Sequence, residues 1–95
     1  MEFEWGDEKS EQCRAERGFS FADVLPVFLD PDAVAEEDLR WDYGEDRFRL
    51  YGRLEGRLLV IVYTTRSKTI RIISARKANS RERKRYEDRQ GSAEE

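Results

Sequence analysis

The 95-residue chain has no histidine, one cysteine, two prolines and one methionine. The missing histidine removes the side chain that most often moves protons near neutral pH and most often ligates transition metals. It also excludes any Ser–His or Cys–His nucleophile. The lone Cys13 forbids an internal disulfide, fits a reducing compartment, and reads as a small core residue on a helix. With one thiol and no recognisable carboxylate spacing, neither a metal site nor a cofactor is expected. Long apolar runs are absent too. The longest, Leu58–Tyr63, falls far short of the ~18 residues of a membrane span. The opening MEFEWGDEKS is acidic and has no apolar core, so no secretory signal is expected and a cytoplasmic location is.

What the chain has in excess is charge, at 41% of residues, together with two Trp, four Tyr and five Phe. The aromatics and the run at Leu58–Tyr63 argue for a folded domain, expected over residues 1–90 with a disordered tail at 91–95. The net charge of −3 hides a split. Residues 1–45 carry 14 acidic and 4 basic side chains, and residues 46–95 carry 7 acidic and 14 basic. Fields act over roughly a Debye length of ~8–10 Å, so the two halves meet different partners or neutralise each other within one fold.

Local patterns give most of the elements. Glu2–Trp5 reads as a short strand with Phe3 and Trp5 on one side. A polar helix opens at Asp7 and closes before Gly18, where a helix end needs positive φ. Ser20 with Asp23 resembles a capping box and starts a second helix at Phe21, in which Pro26 sits awkwardly. Ala33–Tyr43 carries little signal and reads as loop with a short strand at most. From Phe48 to Leu54 apolar residues alternate with Arg47, Arg49, Tyr51 and Arg53, a half-buried strand. Glu55–Gly56 is a hairpin turn, Arg57–Thr65 the middle strand, Arg66–Lys68 a second turn, and Thr69–Lys77 the last strand. Asn79 with Glu82 caps a basic helix running to about Arg89. The expectation is α+β: a mostly antiparallel sheet, made of the short N-terminal strand and a three-stranded meander. Two N-terminal helices would cover one face, with a basic C-terminal helix following.

The densest signal is IRIISARKANSRERKRYE, Ile70–Glu87, where a strand runs into a helix rich in Arg and Lys. With it stand FEW at Phe3–Trp5, Lys9, Gly18, Phe21 two residues after Phe19, YGEDR at Tyr43–Arg47, and Gly52 with Arg53. On these pieces the chain resembles the BrnT toxins of bacterial toxin–antitoxin pairs over about residues 3–88. The resemblance implies a RelE-like ribonuclease fold, toxicity through RNA cleavage and inhibition of translation. It also implies an antitoxin similar to BrnA with a ribbon–helix–helix part, so that operator DNA is met only through that partner. The chain departs from the family where the first helix usually ends in Lys-His-Gly. Here it reads Glu16–Arg17–Gly18. Arg17 is a candidate catalytic residue at that position, but an arginine stays protonated to pH ~12 and cannot do acid–base work if the family's histidine does.

Metal-free RNA cleavage needs a base for the 2′-hydroxyl, cations for the charge that builds on phosphorus, and a proton for the leaving oxygen. Without histidine, the base is a carboxylate, a Lys or a Tyr of shifted pKa. Glu45 is the candidate, beside Arg47; the plainer alternative is that it only pairs with an arginine. Arg47 and Arg76 are candidates to stabilise phosphate through the guanidinium fork. Arg71, Lys77, Arg83 and Arg85 are candidates to position RNA. Strand parity puts Arg71 and Lys77 on one face and Arg76 on the other, unless the strand bulges. A second reading keeps the antitoxin interface without the chemistry, as a co-repressor module.

Overall fold

The computed structural model describes residues 1–39 and 44–93, with side chains described through Gln90. Trp41 and Tyr43 lie outside the described residues. In chain order the elements are β1 (Glu2–Glu4), α1 (Asp7–Arg17), a 3₁₀ turn (Leu25–Leu29), β2 (Val34–Glu37), β3 (Phe48–Leu54), β4 (Arg57–Arg66), β5 (Thr69–Lys77) and α2 (Ser80–Ala93). The five strands form one sheet in the order β1-β5-β4-β3-β2.

Helix α1 has the expected bounds. Asp7 and Glu8 sit in its first turn, and Arg14 and Arg17 in its last, each opposing the helix dipole. Gly18 ends it at φ 87°, its N–H bonded to the Arg14 carbonyl at 2.9 Å. The helix turns little apolar surface inward. Cys13 is buried and donates its thiol to the Ala75 carbonyl of β5 at 3.5 Å, and the Ser10 hydroxyl accepts the Phe21 N–H at 3.0 Å.

The second helix does not form as expected. The capping exchange between Ser20 and Asp23 is present in both directions, at 2.9 and 3.2 Å. Pro26, however, has no N–H to give to the Ala22 carbonyl. The chain instead uses tighter bonds, Val24 to Phe21 at 3.3 Å, Leu25 to Ala22 at 3.3 Å and Val27 to Val24 at 3.0 Å. The result is a run of turns followed by the 3₁₀ turn, which still buries Phe21, Val24 and Val27.

The sheet also differs from a meander with one added strand. It is mixed, because β1 runs parallel to β5, pairing Glu2 with Thr69 and Glu4 with Arg71. It gains β2, antiparallel to β3, where Val34 faces Tyr51 and Glu36 faces Arg49. The β3–β4 hairpin turns at Glu55 and Gly56, with φ 51° and 81°, the paired positive values of a two-residue hairpin turn.

Both faces of the sheet are covered, each by its own layer. Leu50, Leu59, Ile61, Ile72 and Ala75 pack under α1 and the 3₁₀ turn with Phe19, Phe21, Val24 and Val27. Tyr51, Leu58 and Val60 pack under α2 with Ala78 and Tyr86. The basic helix therefore lies on the face where the strand arginines emerge, which sequence alternation had left open. Tyr86 anchors it, its hydroxyl donating to the Asp32 carbonyl at 3.1 Å. The helix reaches Ala93, past the end expected near Arg89, and positions 94–95 of the expected tail lie outside the described residues.

Gly52 lies at a close approach between the sheet and the 3₁₀ turn. A Cβ there would lie 2.5 Å from Val27 Cγ1 and 3.3 Å from Ala33 Cβ. The substitution Gly52→Ala is therefore expected to destabilise the fold by about 1–3 kcal/mol through overpacking. Urea denaturation should show a lower midpoint at an unchanged slope.

Candidate functional site

The passage from β5 into α2 is built around one carboxylate. Asn79 and Glu82 exchange backbone-to-side-chain bonds at 2.9 and 2.8 Å, the capping box read from sequence. The same Glu82 carboxylate receives both arms of the Arg76 guanidinium, at 2.7 and 2.8 Å. Its side chain is 11% exposed and that of Arg76 is 33% exposed. The Arg76 fork holds the Glu82 carboxyl down to about 2; the Asn79 N–H adds to this and burial opposes it. Glu82 is a carboxylate throughout the neutral range, too weak a base to take a proton from a hydroxyl.

A second charged cluster lies beneath α2, centred on Glu36 of β2. Its carboxylate accepts Arg49 at 3.0 Å, Arg85 at 3.1 Å and the Tyr51 hydroxyl at 3.0 Å, with Arg89 at 4.0 Å. Arg85 also donates to the Tyr51 hydroxyl at 3.0 Å and lies over the Tyr51 ring at 5.6 Å. Burial, then the bond to Glu36, pushes the Tyr51 phenol above its ordinary pKa. Tyr51 is therefore a buried phenol within the network and not a surface platform for bases. Among the described residues, Arg49 Nε is buried without a hydrogen-bond partner.

The parity conflict in β5 is resolved by a bulge. Val62 pairs with Ser74 while Tyr63 pairs with Ile72, leaving Ile73 as the extra residue. Beyond it the alternation reverses. Arg71, opposite Thr64, and Arg76, opposite Val60, thereby share the α2 face, and Lys77, opposite Leu59, turns to the other.

The residues singled out from sequence fall into separate groups. Glu45 and Arg47 stand together before β3. The Glu45 carboxylate lies 3.4 Å from Arg47 Nε and 3.4 Å from an Arg66 nitrogen at the end of β4. Two backbone ties fix this corner: Asp38 N–H to the Arg47 carbonyl at 2.7 Å, and the Thr64 hydroxyl to the Asp46 carbonyl. Arg76 is level with Tyr51, four residues along β3 from Arg47, so the two are separated by ~13 Å along the strand direction alone. Arg71 lies 3.8 Å from Glu4 of β1. Arg17 is apart from all of these, at the end of α1 on the opposite layer. There its charge favours the thiolate of Cys13, but burial outweighs it and raises the Cys13 pKa. Lys77 and Arg83 do come together, in a concavity of about 450 Å³ that Arg53 and Arg57 also line.

Sequence reading missed Arg49, Arg66 and Glu36 as site residues, and took Glu82 as a helix cap only. The alternation that put Arg49 beside Tyr51 was the available signal for the first. Nothing local pointed to Glu36, because its partners come from β3 and α2.

The fold lays a basic helix over a sheet face that carries arginines, several of them paired with carboxylates. A family model described as the ribonuclease toxin BrnT of type II toxin–antitoxin systems matches residues 5–82. The chain belongs to that family, and an antitoxin is accordingly its partner. The match ends at Glu82, so Arg83 and Arg85 lie beyond it. No curated protein sequence matches the chain. No helix among the described residues is long and apolar enough to cross a membrane.

Glu82 gives a direct pH prediction. Its folded pKa of about 2 lies below the ordinary 4.5. The stability it contributes is complete above pH 4.5 and is lost as pH falls toward 2, amounting to about 3 kcal/mol. Replacing it, Glu82→Gln, should lower stability at neutral pH by about 2–3 kcal/mol and flatten the decline between pH 5 and 2 in urea titrations.

Proposed function

We propose that the chain cleaves RNA without a metal ion, inhibits translation by doing so, and is silenced by a BrnA-like ribbon–helix–helix antitoxin. The observation that carries this reading is the corner in which Glu45 lies 3.4 Å from both Arg47 and Arg66. Its side chain is 31% exposed, so an RNA strand can reach it. Glu45 takes the proton of a 2′-hydroxyl, and the 2′-oxygen attacks the neighbouring phosphorus. The bond from phosphorus to the 5′-oxygen breaks, giving a 2′,3′-cyclic phosphate and a 5′-hydroxyl whose proton comes from solvent. Arg47 and Arg66 stabilise the charge on the phosphoryl oxygens. Arg71 and Arg85, 36% and 57% exposed, add positive field along the same face. Operator DNA is met only through the antitoxin. The cytoplasm is the compartment where such a substrate is found.

A second reading is favoured by Arg76. Its fork is held by Glu82 at 2.7 and 2.8 Å, so it reaches a phosphate only by giving up that pair. Arg17 supplies no proton transfer where the family usually has histidine. On this second reading the chain is a weakened toxin that serves mainly as an antitoxin-binding co-repressor.

Cleavage of RNA by the purified chain in EDTA separates the two. On the first reading, wild type degrades RNA, and Glu45→Gln and Arg47→Ala each lose about 100–1000-fold in rate. Full activity in Glu45→Gln removes it as the base. Binding without cleavage by wild type supports the co-repressor.

A further inference from the structure

We propose that the concavity between the β3–β4 hairpin and the first turns of α2 is a docking subsite for the phosphodiester backbone of single-stranded RNA. This rests on the reading of the chain as an RNA-acting toxin and adds to it a second contact region, remote from Glu45. Four cations line the space of about 450 Å³: Arg53, Arg57, Lys77 and Arg83, with Glu87 the one carboxylate among them.

Each cation is fixed by a different element. Arg53 is near the end of β3, Arg57 opens β4, Lys77 closes β5, and Arg83 stands in the first turn of α2. The backbone that carries them is tied down. Arg53 N–H donates to Asp30 Oδ2 at 2.8 Å, Ala78 N–H to the Leu58 carbonyl at 3.0 Å, and Arg83 N–H to the Asn79 carbonyl at 2.9 Å. The hairpin turn at Glu55–Gly56 pairs Arg57 with Leu54, one ladder position from the Arg53–Leu58 pair.

These cations are also unlike their neighbours. On the same sheet Arg49, Arg66, Arg71 and Arg76 each face a carboxylate within 4.0 Å. Among the described residues, Arg53, Arg57, Lys77 and Arg83 form no ion pair, and the Arg53 guanidinium lies over the Tyr86 ring at 5.5 Å. Arg53 and Arg83 border the hollow from the α2 side and Arg57 and Lys77 from the end of the sheet, so like charges gather at its rim and Glu87 offsets only part of their repulsion. A polyanion relieves the rest and releases its own counterions.

The lining separates RNA from a protein partner. A protein interface is centred on apolar and aromatic anchors. Here the apolar neighbours Leu58 and Ala78 are 6% and 8% exposed, so charge is what the hollow presents. Arg53 lies six residues along β3 from Arg47, or ~20 Å, so one strand can occupy this hollow and the Glu45 corner together.

The test uses a 2′-O-methylated oligoribonucleotide, which binds but offers no 2′-hydroxyl to cleave. Its affinity is measured by fluorescence anisotropy across a salt series for wild type, Arg57→Ala/Lys77→Ala and Glu87→Gln. The two removed cations are exposed, so thermal unfolding of the double variant should match wild type. The double variant should bind at least tenfold more weakly at low salt, and its log K against log salt should be shallower by about 1.4. Glu87→Gln should bind more tightly than wild type. Equal affinity and slope in wild type and double variant overturns the proposal. So does a double variant that loses the antitoxin while keeping RNA. If wild type binds through these residues yet cleaves no unmodified RNA, the subsite stands and the nuclease reading falls.

Discussion

The Glu82 carboxylate fixes how the last helix meets the sheet. It closes the first turn of α2 by accepting the Asn79 N–H, and it grips Arg76 on β5 with both oxygens. One side chain thus sets where the helix begins and binds that start to the strand before it. The course of α2 across the sheet follows. Tyr86 reaches the Asp32 carbonyl, and Arg85 reaches Glu36 and Tyr51 on β2 and β3. A capping residue that only terminated the helix would leave its direction free. A salt bridge that only joined strand to helix would leave its start undefined.

The split between an acidic first half and a basic second half is resolved mostly inside the fold. Glu4, Glu36 and Glu45 come from the acidic half, and they meet Arg71, Arg49, Arg85, Arg47 and Arg66 from the basic half. The pairing is uneven. The end of the sheet where β2 and β1 supply carboxylates is neutralised, whereas the hairpin end, beyond the reach of both strands, keeps its cations. Surplus positive charge is therefore placed by topology, at the one part of the sheet that the acidic strands do not flank.

Local chemistry was readable from the chain, and long-range chemistry was not. Gly18, the Ser20–Asp23 exchange, the Glu55–Gly56 turn and the Asn79–Glu82 box each involve residues within a few positions of one another, and each is present. The second helix failed because Pro26 outweighed four apolar residues at helical spacing. Strand β2 was nearly silent because Val34 is its only large apolar residue, and its pairing with β3 is written in β3 instead. The bulge at Ile73 had no glycine to announce it; only the geometric conflict between Arg71 and Arg76 hinted that one was needed. The charged clusters were invisible for the same reason as the sheet order. Glu36 meets Arg85 across 49 residues of sequence, and no window sees both.

The parallel pairing of β1 with β5 has a consequence for how the molecule is made. Glu2 and Thr69 are 67 positions apart, so β1 has no partner in the sheet until β5 has been synthesised. Until then the Phe3 ring, which packs edge-on against Phe28 at 5.0 Å, has no strand to hold it there. A nascent chain carries β1 unpaired while the residues up to β5 are made, and the parallel pair joins the sheet only after that.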